Sequence, residues 1–227
     1  MFKYETHLHT SPASRCARAT VEENLIYYKK LGYDGVFITN HFIDGNINID
    51  QSASYEDKLQ VFFADYEEAL ELAPSIGIRV FLGTETSYKG TDFLVYGLPK
   101  EWYFAHPEIS DMKPKAKLEL MARDGALIIQ AHPFREAGYI DHIRLFPRSV
   151  HGVEVINACR TEFENAIAEQ YAKNYRLLRF AGTDNHVGPL KATLAGMCSE
   201  TPIFDELDFA HRVLNDRMQI FTLNTEA

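Results

Sequence analysis

Cysteine is scarce in this chain: Cys16, Cys159 and Cys198 are the only three, far apart and in no CxxC pair. That spacing argues against a disulfide scaffold and points to reduced thiols in a cytoplasm. No apolar run approaches the roughly 20 residues that span a bilayer, and the N-terminus lacks a basic segment leading into an apolar stretch, so neither an anchor nor a secretory leader is expected. Positive charge is also short. The 23 Lys and Arg against 32 Asp and Glu leave a net charge of −9, which argues against a long nucleic acid or an anionic membrane as partner. A small phosphorylated partner stays compatible, because local arginines or bound cations can reverse the sign inside a cleft. Glycine is missing where an open nucleotide-binding sheet would place its phosphate loop, since the first strand runs into "HLHTSPASR".

What is present is an alternation. Phe2–His7 reads as a strand, and Val21–Leu31 as an amphipathic helix opened by the capping box Thr20-x-x-Glu23. "GYDGVFITNH" and "IGIRVFLGTE" each read as a turn and a buried strand with a polar end, and a helix fits Tyr55–Ala73 between them. "DFLVYGL" at 92–98 is a short apolar strand, followed by a helix over Lys113–Arg123 and another strand in "DGALIIQAHP". "HGVEVIN", a helix over Glu162–Asn174, "LLRFAGTDNH", a helix near Phe204–Asn215 and the run "MQIFTL" complete the chain. Strands alternating with helices imply parallel pairing with crossover helices. About seven such units favour a closed or nearly closed α/β barrel over an open sheet, and 227 residues suit one domain over 1–227.

Nine histidines are unevenly placed. His7 and His9 are two apart on a strand and so project from one face, where two imidazoles can grip one ion. Polar residues then close the apolar runs in turn: His41, Glu85, His132, Glu154 or Asn157, and Asp184 with His186. Any one of these alone is more simply an ordinary strand-end or turn residue. Together they are not, because strand ends of a parallel barrel converge on one mouth. Imidazoles and acids crowded there would repel or titrate unless divalent cations satisfied them. Imidazole with carboxylate suits Zn, Mn or Fe(II).

With these residues in hand, the chain resembles the PHP (polymerase and histidinol phosphatase) family of metal-dependent phosphoesterases. The ordered motifs are "HLHT", "ITNH", "GTE", "AHP", "VEVIN" and "GTDNH". The resemblance implies a distorted (β/α)7 barrel, like a TIM barrel, holding two or three divalent ions. It implies that His7, His9, Glu85 and Asp184 hold the first ion, that Glu85 bridges to a second which His132 also binds, and that His41 and His186 serve a third. Two positions depart from the pattern. Asn40 replaces the usual Asp before the second motif's histidine, and "SPASRCAR" lacks the usual further ligand, with Cys16 nearest that role. Asp92 falls about where the second ion's remaining ligand belongs.

The resemblance implies hydrolysis of a small phosphorylated metabolite or nucleotide by a hydroxide shared between ions, with Asp184, His132 or His186 orienting it or assisting the leaving group. Arg15, Arg18, Arg135 and Arg160 follow strand ends and are the candidates for binding phosphate. Two alternatives stand beside this: an amidohydrolase-type barrel cleaving C–N bonds, and a metal-binding regulatory domain without catalysis. The first normally has a modified lysine as the metal bridge, whereas here Glu85 takes that place.

Overall fold

A computed structural model describes residues 1–225. Seven strands form the barrel wall: β1 (Phe2–Leu8), β2 (Gly35–Ile38), β3 (Arg79–Tyr88), β4 (Thr91–Tyr96), β5 (Leu127–Gln130), β6 (Gly152–Asn157) and β7 (Leu178–Gly182). Two more, β8 (Thr193–Ser199) and β9 (Gln219–Asn224), extend the sheet, whose order is β7-β6-β5-β4-β3-β2-β1-β8-β9. The helices are α1 (Val21–Lys30), α2 (Tyr55–Ile76), α3 (Lys100–Ala105), α4 (Pro114–Arg123), α5 (Glu162–Tyr175) and α6 (Glu206–Leu214).

The barrel expected from the alternation is there, with one difference in its wall. β1, β2 and β3 are parallel, as are β5, β6 and β7, but β4 runs antiparallel to both β3 and β5. The cause is local. Only Lys89 and Gly90 separate β3 from β4, both with positive φ (50° and 80°), which is a two-residue hairpin turn. A parallel neighbour needs a crossover of about a dozen residues or more. The antiparallel β8 and the short α3 also lie outside the expected elements.

Closure occurs at one seam. The lower half of β1 pairs with β8, Tyr4 opposite Met197. Its upper end instead meets the chain leaving β7: Asp184 N donates to His7 O at 2.8 Å and His9 N to Asn185 O at 3.0 Å. Thr6 Oγ1 donates to Ala181 O at 2.5 Å in the same seam. The barrel is thus shut at its mouth and opened below by the β8–β9 hairpin.

The interior is aromatic. Tyr96 on β4 reaches across to donate to Thr6 O on β1 at 2.5 Å, although these strands are not neighbours. Phe209 of α6 packs against Phe37 (4.4 Å between centroids), Tyr96 (5.3 Å) and Phe180 (6.1 Å), rings from three separate strands. Outside, α1 lays Val21, Leu25 and Tyr28 over Val36 and Ile38. Thr20–Glu23 and Thr161–Glu164 capping boxes start α1 and α5, supplying acceptors to helix N–H groups that lack partners.

Truncating Phe209 to Ala removes a fully buried ring shared by three strands and should cost about 3–5 kcal/mol. The exposed Phe204→Ala serves as control and should stay within about 0.5 kcal/mol. Urea unfolding of the two variants measures both; equal, small losses would show that α6 does not hold the barrel together.

Candidate metal centre

Each strand of the wall delivers a polar side chain to the mouth. β1 carries His7 and is followed by His9, β2 is followed by His41, and β3 carries Glu85, which bridges to His41 through the backbone. β4 carries Asp92, β5 is followed by His132, β6 carries Glu154 and Asn157, and β7 is followed by Asp184 and His186. His132 (φ 24°) and Asp184 (φ 60°) are among the few non-glycine residues with positive φ; the bond from Asp184 N to His7 O holds the one and that from His132 N to Glu154 holds the other. Gly182 in "GTDNH" is required by close approach: a Cβ there would stand 2.5 Å from His7 Cβ and 2.6 Å from Glu154 Oε1.

The two sides of His7 differ instructively. Its Nδ1 lies 2.9 Å from Glu154 Oε1, an ordinary charge-assisted hydrogen bond. Its Nε2 faces His9 Nε2 at 3.2 Å, Glu85 Oε1 at 3.2 Å and Asp184 Oδ1 at 3.5 Å. His9 Nε2 stands 3.5 Å from both Glu85 Oε2 and Asp184 Oδ1, and His132 Nε2 stands 3.4 Å from Glu85 Oε1. Two donors each about 2.1 Å from one ion are about 3.0 Å apart at a right angle and about 3.4 Å apart at the tetrahedral angle. The observed separations match edges of a coordination polyhedron better than hydrogen bonds. Three triads of donor atoms lie within 4.8 Å of one another: His7–Glu85–His132, His7–His9–Asp184 and His9–His41–His186. Both Glu85 oxygens are buried without a well-directed hydrogen-bond donor. A buried carboxylate left so is costly, and a divalent cation would satisfy it. The residues present therefore fit two or three divalent ions.

Electrostatics agree. Burial opposes ionisation of Glu85, but His41 and His7 outweigh it and hold the carboxyl well below its usual range. Asp184 is likewise lowered, against burial, by His7, His186 and His132. Burial would lower His7 also, yet Glu154, Asp184 and Glu85 raise it well above the ordinary imidazole value. His41 rises to about 10 against its burial, chiefly through Glu85 at 2.6 Å. His9 moves the other way, driven well down by burial and then by His186 and His41. Protons on some imidazoles thus compensate the carboxylates where a metal's charge otherwise would.

Behind this ring stands a second set of contacts. Glu154 Oε2 accepts from His132 N at 3.0 Å and from Asn157 Nδ2 at 2.9 Å, while Oε1 orients His7. Ser14 Oγ lies 3.1 Å from His9 Nδ1 and donates to Asn40 Oδ1 at 2.9 Å. Asn40 Nδ2 donates to Thr10 Oγ1 at 2.7 Å and lies 3.3 Å from Asp65 Oδ2. An acid at position 40 would face the buried Asp65 carboxylate, which explains the amide there. Glu5, also buried, accepts from His7 N at 2.9 Å, Thr183 N at 3.0 Å and the Thr183 hydroxyl.

The centre opens into a cleft of 470 Å3, a size suited to a small molecule, lined by Cys16, Asp92, Arg135 and Tyr139 besides the ring. Asp92 sits between Arg135 Nη2 (3.1 Å) and His132 Nε2 (3.9 Å), and accepts from Ser87 Oγ at 2.6 Å. Cys16 Sγ is 3.2 Å from His41 Nε2. Of the four arginines singled out by sequence, only Arg135 lines this cleft. Arg15 and Arg18 are exposed, Arg15 bonding to Ile49 O at 3.4 Å, and Arg160 is half-buried after β6. A second groove of 530 Å3 beside α6 gathers none of the ring residues, and its Arg212 is already paired with Asp208.

No protein-family model matches the chain, and no curated protein is similar to it. Solved structures share its fold. A two-domain protein from Bacteroides vulgatus, containing a predicted PHP-like metal-dependent phosphoesterase, superposes over 97% of this chain with a TM-score of 0.70 and 16% identity. The chain spans 64% of that protein's length. A candidate metal-dependent phosphoesterase from Bifidobacterium adolescentis matches over 95% of this chain and 96% of its own (TM-score 0.57, 14% identity). An amidohydrolase from Chromobacterium violaceum, with bound sulfate and no metal, matches over 96% of this chain and 97% of its own (TM-score 0.54, 13% identity).

Metal uptake must displace protons, because His41, raised to about 10, stays protonated through neutral pH until a cation takes its place. Proton competition weakens as pH rises, so apparent zinc or manganese affinity should increase across the neutral range. Calorimetry in buffers of differing ionisation heat should report net proton release; pH-independent affinity would refute this. Glu154→Gln places an amide against the donors at His132 N and Asn157, and should weaken metal binding about 10–100-fold in a chelator competition while circular dichroism stays unchanged.

The chain has the barrel fold of these PHP-like metal-dependent phosphoesterase structures, with the expected imidazoles and acids collected at its mouth.

Proposed function

We propose that this chain is a metal-dependent phosphoesterase acting on a small phosphorylated substrate. The observation that carries the reading is the crowding of His7, His9, His132, Glu85 and Asp184 at polyhedron-edge spacing, beside one cleft-lining guanidinium. When bound, divalent ions acidify water and offset negative charge on phosphoryl oxygens. His7, His9, Glu85 and Asp184 would hold one ion, Glu85 and His132 a second, and His41 with His186 a third. Zinc, manganese and iron all suit such donors.

The chain's own groups do the rest. Arg135, held at 3.1 Å by Asp92 through Nη2, lines the cleft, where a guanidinium fits phosphate oxygens. Its Nε is buried without a partner, as is that of Arg160, the next candidate for anion binding. Asp92 serves Arg135 more directly than it serves a metal. Asp184 and His132 face the reacting centre, and His186, a quarter exposed, sits toward the solvent side where a leaving group would depart. The Chromobacterium violaceum neighbour holds a sulfate, a tetrahedral dianion of phosphate shape, so a chain of this fold can bind such an anion.

The amidohydrolase reading is favoured by that same neighbour's name and opposed by the cleft, which has no lysine among its lining residues. Lys117, the buried lysine nearest in character, lies on α4 and pairs with Asp44 at 2.6 Å. Against a long nucleic acid stands the net charge of −9. No helix among the described residues is long and apolar enough to cross a membrane. Three free thiols suit a cytoplasmic setting.

Manganese- or zinc-loaded protein should hydrolyse p-nitrophenyl phosphate and small phosphometabolites but not a panel of amides. Asp184→Asn should lower kcat by about 100-fold or more with part of the metal retained. Arg135→Ala should raise KM about tenfold with a smaller effect on kcat. Amide turnover with inertness toward every phosphoester would overturn the proposal.

A further inference from the structure

We propose that Cys16 supplies a thiolate to the third cation position, beside His41 and His186, so that this position selects a thiophilic ion such as zinc over manganese. The inference rests on reading the histidine cluster as a metal centre. It does not depend on the substrate being a phosphoester.

Three features point to ligation. The first is direction. His41 turns Nδ1 to Glu85 Oε2 at 2.6 Å and Nε2 to Cys16 Sγ at 3.2 Å, so its outward nitrogen and the sulfur stand within reach of one ion. Cys16 and His186 line the same cleft. A sulfur about 2.3 Å and a nitrogen about 2.1 Å from one tetrahedral ion stand about 3.6 Å apart, so a small outward shift of Sγ completes the arrangement.

The second is anchoring. The loop is pinned on both sides of Cys16: Arg15 N donates to Asn46 O at 3.0 Å and Arg18 N to His186 O at 2.8 Å. The same segment that carries Cys16 is thereby tied to the segment that carries His186. Ser14, two residues earlier, orients His9.

The third is contrast within the chain. Cys198 is buried in the β1–β8 pairing, and Cys159 donates to a backbone carbonyl, Asp184 O, at 3.2 Å. Among the three thiols, Cys16 is the one with imidazole nitrogens as its neighbours, and it lines the cleft. Thiolate is a soft donor that favours zinc and cobalt, while manganese prefers oxygen donors. The positions around His7, His9, Glu85, His132 and Asp184 offer only nitrogen and oxygen and carry no such preference. The centre would then hold two kinds of ion in separate places.

Cobalt is the probe. Saturating the metal-free protein with Co2+ should produce a thiolate-to-cobalt charge-transfer band in the near ultraviolet, together with visible d–d bands. Cys16→Ser should lose the near-ultraviolet band and one equivalent of zinc, keep the d–d bands, and take up as much manganese as the wild type. In peptide-resolved alkylation with iodoacetamide, zinc should protect Cys16 and manganese should not, with Cys159 as internal control. Full cobalt occupancy without the near-ultraviolet band would overturn the proposal, and so would equal alkylation of Cys16 with and without zinc. If Cys16→Ser does not fold, the wild-type cobalt spectrum and the alkylation still decide. Phosphatase activity is assayed apart. Activity without the band sinks only this inference, and the band without activity sinks only the functional reading.

Discussion

The rest of the structure is arranged around one buried carboxylate. Glu85 lies in the middle of the mouth, 1% exposed, with His7, His9, His41 and His132 all within 3.5 Å of its two oxygens. None of these contacts is a well-directed hydrogen bond. Burying an ion in this way is affordable only if positive charge is delivered to it. Protons on His7 and His41 can supply that charge, and so can divalent cations. The two compete for the same electrostatic role, which is why the pKa directions of the ring are a statement about metal chemistry. The carboxylates are pulled down and two imidazoles are pushed up, because the site needs cations of some kind.

Delivering that charge at the right spacing requires the barrel to close where it does. His7 and Asp184 are 177 positions apart in the chain, yet Asp184 N bonds to His7 O, so the two ligands are coupled through one backbone contact. Glu5 reinforces the seam from below, accepting from the backbone of both His7 and Thr183. Gly182 lets the strands approach closely enough for Glu154 to reach His7. Below this point β1 pairs with β8 instead, Phe2 opposite Ser199 and Tyr4 opposite Met197. The backbone contacts that join β1 to the chain leaving β7 lie at the mouth, where the ligands are.

Much of this was legible in the chain, and the parts that were not share a physical reason. The ring residues announce themselves because each follows an abrupt step from apolar to polar at a strand's end, as at "VFITNH" and "LIIQAH". The β3–β4 hairpin was also readable from "YKGT", whose two turn residues leave no room for a crossover, although helix–strand alternation suggested parallel pairing throughout. Glu5 reads as an ordinary polar residue on a strand, since nothing local says that its partners are at position 183. Asp65 carried a usable signal. It lies on the same face of α2 as Phe62 and Ala69, all buried, and an acid on an apolar helical face needs a polar partner across the interface. That partner set is Thr10 and Asn40.

Asn40 and Asp65 together explain a departure from the motif pattern that otherwise looks like a lost function. An acid before the motif's histidine would place a carboxylate after β2, against the β1 loop that carries Thr10 and Ser14. In this chain the carboxylate comes from α2, as Asp65, and accepts from Thr10 Oγ1 at 2.6 Å. Asn40 then has to donate on one side, to Thr10 Oγ1, and accept on the other, from Thr10 N and Ser14 Oγ. An amide does both, whereas an ionised carboxylate only accepts. Ser14 in turn faces His9 Nδ1, so the amide's orientation reaches the ring through a single hydroxyl. Asp65 keeps a buried carboxylate beside this loop, and the support behind His9 is complete. A chain drifting toward a metal-free scaffold would have no reason to keep a buried acid, an amide and a hydroxyl satisfied in this order behind one imidazole.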